Sequence, residues 1–174
     1  MTLSPGLRRA ALVAHVTCSV GWFGAVAAYT ALDVTAVTSR QVETVRGAHL
    51  AMDLTVSYVI VPLALAALAT GLIQALGTSW GLIRHYWVLA KLLLTVVATA
   101  VLLVEARTVA TLAEYAASSP DPRPMPGTLP HSIGGLAVLL LITVLSMVKP
   151  QGLTRYGWRK QQEQRRKKTM AATG

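Results

Sequence analysis

Four histidines, one lysine and one glutamate stand out in apolar stretches that are otherwise poor in ionisable side chains. His15 lies in "LVAHVTCSVGW", residues 12 to 22, with Trp22 seven residues later and Tyr29 fourteen. At about 100° per residue, His15, Cys18, Ser19, Trp22 and Tyr29 fall on one helical stripe. Neutral imidazole is a common ligand to haem iron and other metals, and it serves equally as a core side chain bonded to a backbone carbonyl. Both readings of His15 stand on the sequence alone.

Lys91, in "HYWVLAKLLLTVV", has a similar depth on another apolar segment, four residues past Trp87. Facing inward, it would meet His15 as an anchor for an anionic group or, once deprotonated, as a second ligand. Facing outward, it would snorkel to the headgroups. Glu105 follows fourteen residues later, on nearly the same face and about 21 Å further along the axis. Its expected partner is an arginine, either Arg107 or one from an outer loop.

His49 and His131 form an outer pair at the starts of two further segments. Asp53, four residues after His49, is placed to hold its ring, as carboxylates commonly do for metal-bound histidine. Gly134 and Gly135 follow His131 at i+3 and i+4. They remove side-chain bulk where a flat macrocycle, or equally a neighbouring helix, would approach. With His85 beside His15 on the inner level, the histidines occupy two levels, which would let a bundle hold a haem b near each face. The cofactor-binding candidates are His15, Lys91, Trp22, His49 and His131. His15 is the first candidate iron ligand, and His49 with His131 the alternative.

The elements that must carry these groups are membrane helices. The chain has 174 residues, 53% of them hydrophobic and 13% charged, with a mean hydropathy of +0.53. Four stretches, 10–32, 54–76, 86–108 and 131–149, approach or exceed the length of about 20 apolar residues that a spanning helix needs. Short connections between them imply an all-α, four-helix transmembrane bundle running up-down-up-down over residues 1–150. A basic tail, 151–174, follows. The connection 33–53 is read as outer, its second half "QVETVRGAHLAMD" having helical propensity. Gly77 is placed to stop the second helix. "SSPDPRPMPGTLP" carries five prolines in thirteen residues and reads as an extended outer loop ending at Pro130.

Charge sets the orientation. Of the formal net charge of +9, the segment from Lys149 to Gly174 supplies +7. With both termini cytoplasmic, the inner side collects eleven Lys and Arg residues, and the outer loops only Arg40, Arg46 and Arg123. The tail follows an apolar helix, where Lys and Arg attract anionic lipid, so it speaks for a lipid surface or a partner protein rather than nucleic acid. Arg8, Arg9 and the apolar run that follows are read as an uncleaved first helix rather than a secretory signal. The single Cys18 excludes an intramolecular disulfide. There is no CxxC, HExxH, phosphate loop or Ser-His-Asp arrangement, and the methionines are scattered.

Three sparse patterns, H15-x6-W22-F23-G24, P62-x7-T70-G71-L72 and W87-x3-K91-L92, resemble a superfamily of small bacterial membrane bundles. It includes the HemJ-type protoporphyrinogen oxidases, the CopD-like copper-resistance membrane domain and members of unknown function. The resemblance spans roughly residues 10 to 110 and implies a multi-pass protein of the bacterial cell (inner) membrane. In the HemJ type, a first-helix histidine and a third-helix lysine are thought essential and the bundle binds haem b; those roles would fall on His15 and Lys91. This chain has "AVAAYTALD" where the HemJ type carries basic and aromatic residues, and no late third-helix histidine in "LLVEARTVATL". The likeness is therefore to the members of unknown function more than to the oxidases.

Three functional classes follow from these observations. The first is a membrane protein that binds haem or porphyrin and acts in electron transfer or porphyrin oxidation, with a redox partner or a second copy of itself. The second is a cofactor-free accessory subunit docking through its tail. The third is a small permease.

Overall fold

The structure, a computed structural model, describes residues 4–77, 86–148, 158, 159, 162, 169 and 170. His85 and most of the basic tail lie outside the described residues. The elements are α1 (Pro5–Thr38), α2 (Val42–Thr55), a five-residue π-helical turn (Val56–Ile60), α3 (Val61–Gly77), α4 (Tyr86–Ser118) and α5 (Leu129–Val148). Four rods are long and apolar enough to cross a membrane, because α2, the π-turn and α3 run on as one continuous span, Val42–Leu76. The protein is an all-α multi-pass membrane bundle.

The helices outrun the apolar stretches that announce them. α1 extends through Asp33 to Thr38, so three residues, 39–41, are all that separate it from α2. α4 likewise runs ten residues beyond 108. Hydropathy marks only the lipid-embedded part of a helix, whereas backbone hydrogen bonding continues into the interface. Threonines sit within these helices at little cost, since the hydroxyls of Thr30, Thr35 and Thr38 bond back to carbonyls four residues earlier. At its start, α1 has Pro5 in the first turn and the Ser4 hydroxyl accepting from the Leu7 N–H.

The second span bends its hydrogen-bond ladder for a visible reason. Pro62 has no N–H to offer the Tyr58 carbonyl, and its ring would crowd that carbonyl. The chain answers with a wider turn, in which the Val61 N–H reaches back to the Val56 oxygen. Val56 and Ile60 are buried on its inner side, while Tyr58 is 76% exposed on the lipid side.

α5 starts at Leu129, so Pro130, expected to close the loop, lies inside the first helical turn, where a missing N–H costs nothing. Arg46, expected as an outer-loop charge, belongs to α2 and caps α4. Its guanidinium donates to the carbonyls of Ala116 and Ser119 at the negative end of that helix, and to Glu43.

The core follows one stripe per helix. On α1 it is Trp22, Val26, Tyr29, Asp33 and Ala36; along the second span it is Val45, Ala48, Met52, Val56, Ile60, Ala64 and Ala67. Ala64 and Ala67 let α1 and α3 approach closely, and Gly21 lies under Leu63, where an added Cβ would come within 3.3 Å of Cδ1. Val20, Leu93, Val104 and Leu140 point outward and are exposed, as lipid-facing side chains are.

Candidate functional site

The α1 stripe predicted from spacing serves two different places. In the inner half, the His15 ring packs between α1 and α3. Its Nδ1 lies 3.0 Å from the Ala67 carbonyl and 3.2 Å from Thr70 Oγ1. Thr70 spends its own proton on the backbone, chiefly at the Ala66 carbonyl 2.6 Å away. His15 Nδ1 is therefore the donor, and Nε2 carries the lone pair. Gly71 makes room for the ring: a Cβ there would stand 3.0 Å from His15 Cε1. The Thr70-Gly71 pair thus has a direct physical meaning, one residue bonding the histidine and the next yielding space to it.

Lys91 turns to α5 and donates to Ser146 Oγ at 2.8 Å. An inward-facing Lys91 is expected from the sequence to meet His15 at a similar depth. The two are nevertheless held by different helices, α3 and α5.

His49 is 3% exposed and donates from Nδ1 to the Val45 carbonyl at 2.9 Å. Its Nε2 is buried and finds no partner among the described residues. Asp53 does not hold this ring. It accepts instead from the Ser57 hydroxyl at 3.4 Å, while the His49 Nδ1–H goes to the i−4 carbonyl of its own helix.

Glu105 finds a histidine, not an arginine. Its Oε1 lies 3.4 Å from His131 Nε2, with side-chain exposures of 21% for the glutamate and 55% for the histidine. The α4–α5 register brings them together; Arg107, two residues further on, points to another face and is exposed.

Glu105 and His131 stand on the wall of a cavity of about 290 Å³ in the outer half of the bundle. α1 contributes Trp22, Val26 and Tyr29, and the π-turn Val56 and Ile60. α4 lines it from Leu94 to Val109, and α5 with its preceding residue from Thr128 to Leu139. Gly134 and Gly135 are on this wall, and a Cβ built on either would meet no atom within 4 Å. They open space rather than admit a close helix neighbour. Of the five candidate binding residues, Trp22 and His131 line the cavity, while His15, Lys91 and His49 do not. Among the described residues no group of three or more His, Cys, Asp or Glu side chains is disposed to hold a metal ion.

Sequence reasoning missed a buried polar cluster behind this wall. Asp33, expected in an outer loop, is 0% exposed. Its carboxylate accepts from the Thr128 N–H at 3.0 Å, the Thr128 hydroxyl at 2.9 Å and the Ser132 hydroxyl at 2.9 Å. Tyr29 Oη lies 2.7 Å from Thr128 Oγ1. The carboxylate thus caps the positive end of α5 from a different helix. Gly127 packs onto α1 beside it, where a Cβ would collide with Val37. The signal was present, since Asp33 is eleven residues after Trp22 and four after Tyr29, on the same stripe.

No protein-family model, curated protein or solved structure matches this chain. The site is therefore read from its own chemistry.

Proposed function

We propose that this membrane protein holds a flat amphipathic ring, a haem b or a porphyrin, in the outer-half cavity, and serves electron transfer or porphyrin oxidation. The observation that carries the reading is the pair Gly134 and Gly135, which leave open space on the cavity wall one turn after His131. A macrocycle needs such a place to approach a helix backbone, and a side chain at either glycine would hold it further off. The volume lies at the small end of ligand sites, which run from roughly 300 to 1,000 Å³, so part of the ring would face lipid.

The donor chemistry fits. His131 Nε2 lies 3.4 Å from Glu105 Oε1, so a neutral His131 ring with its proton on that side would have its Nδ1 lone pair free to hold a haem iron. Glu105 then orients the ring, as carboxylates do behind metal-bound histidine. Trp22 offers an aromatic surface, and the aliphatic residues of α4 and α5 exclude water. When bound, a haem supplies one-electron chemistry at its iron and a porphyrin supplies an oxidisable ring. The basic tail would hold the cytoplasmic side of a bacterial cell membrane to anionic lipid.

A visible spectrum after expression with supplied haem tests this. A Soret band that is lost in His131→Ala and kept in His49→Ala supports the outer site. Loss in His15→Ala with retention in His131→Ala would move the site inward and overturn it, as would the absence of any band.

A further inference from the structure

The cavity wall has a directional property set by Asp33. Three donors converge on its two oxygens, the pattern of an ionised carboxylate, which accepts only. Thr128 has a single hydroxyl proton and spends it on Asp33. Thr128 Oγ1 must therefore accept from Tyr29, whose phenolic proton is committed in turn. The Ser132 proton is divided between Asp33 Oδ2 and the Leu129 carbonyl at 3.2 Å. Tyr29, Thr128 and Ser132 all line the cavity, so their protons are drawn away from it and Tyr29 and Ser132 are left with lone pairs to offer. Glu105 adds a negatively charged acceptor on the same wall. Apart from the indole N–H of Trp22 and the His131 ring, the polar side chains of this wall are acceptors.

We infer that the polar end of the cavity selects a ligand that brings hydrogen-bond donors: a lipophilic amine in its ammonium form. Its N–H groups would go to Glu105, Tyr29 Oη and Ser132 Oγ. Its charge is complementary to Glu105 and lies against the aromatic rings of Trp22 and Tyr29. Its apolar body would occupy the aliphatic length between α4 and α5. A charge-assisted bond to a carboxylate is the strongest such contact available, and an anionic head would meet Glu105 with the wrong sign. This inference goes beyond the tetrapyrrole reading and shares with it only the premise that the cavity is a ligand site.

The test uses the full-length protein in lipid nanodiscs, with empty nanodiscs as background, and three ligands that share one tail: dodecylammonium, dodecyltrimethylammonium and dodecanoate. Dodecylammonium is expected to bind about tenfold or more tightly than either of the others, the difference that lost charge-assisted hydrogen bonds confer. Glu105→Gln should abolish that preference and Ser132→Ala should reduce it. If Glu105→Gln does not fold, Tyr29→Phe, with the acceptor removed and the ring kept, should reduce the preference as Ser132→Ala does. Equal or tighter binding of dodecanoate, or a preference unchanged in these variants, overturns the inference. A hemin titration run in parallel separates the two readings. Failure of hemin with the ammonium preference intact removes the tetrapyrrole and leaves the donor rule standing; the converse removes only the donor rule.

Discussion

Asp33 and Thr128 are 95 residues apart in the chain and joined by two hydrogen bonds, from the Thr128 N–H and from its hydroxyl. Through them the outer end of α1 fixes the first turn of α5, and with it the place of Ser132 and His131. Asp33→Ala strands three donors in a buried site. Because each unsatisfied group costs about 1–3 kcal/mol, a loss of about 3 kcal/mol in total is expected after partial rescue by water. Unfolding in mild detergent measures it, and a loss below about 0.5 kcal/mol would show that Asp33 does not tie these elements together.

His15 and Gly71 form a second linked pair. Gly71→Ala brings a Cβ to 3.0 Å from His15 Cε1, so the ring must shift and its bonds to Ala67 and Thr70 weaken. Each of Gly71→Ala and His15→Ala should destabilise by about 1 kcal/mol. The double variant should lose less than the sum, because the alanine Cβ clashes with nothing once the ring is gone. Strict additivity would show that the two do not share space.

Gly134 separates stability from binding. Gly134→Ala removes helix-interior glycine without a clash and should stabilise by about 0.5–1 kcal/mol. Gly134→Phe should fold and lose the Soret band, since its ring fills the cavity. A retained band in Gly134→Phe places the cofactor elsewhere.

In the outer loop, Asp121 accepts from the side chain and the backbone N–H of Arg123, at 2.7 Å for the closest pair. These bonds, the side-chain bond first, bring its carboxyl from an ordinary 3.8 down to about 2. A carboxyl lowered in the folded state contributes stability that is complete above 3.8 and is lost as pH falls through about 2. Carboxyl NMR should therefore show Asp121 titrating near 2, and near its ordinary value in Arg123→Ala. An unshifted midpoint in the unsubstituted protein would exclude the pair in solution.

Removal of residues 159–174 should leave the bundle folded and reduce co-purification of anionic lipid, more so at low salt. Lipid analysis of the purified protein reads this directly. Unchanged anionic lipid would leave a partner protein as the tail's target.

The sequence alone determined that the chain crosses a membrane, how many times, and in what order. Hydropathy adds up residue by residue along a helix, and in lipid a helix must satisfy its own backbone. Spacing also placed Trp22 and Tyr29 on one buried face, and put glycines beside His131 where space proved to be open. What only the tertiary structure decided was which polar groups meet. Glu105 could reach an arginine or a histidine, and the register of α4 against α5 gave it His131. Asp33 read as a loop charge because a carboxylate is expensive in lipid; it is buried because Thr128, just before α5, and Ser132 in its first turn supply three donors from the far end of the chain. Such pairings depend on helix rotation and register, which small residues such as Ala64, Ala67 and Gly71 set by close packing. No single helix carries that information.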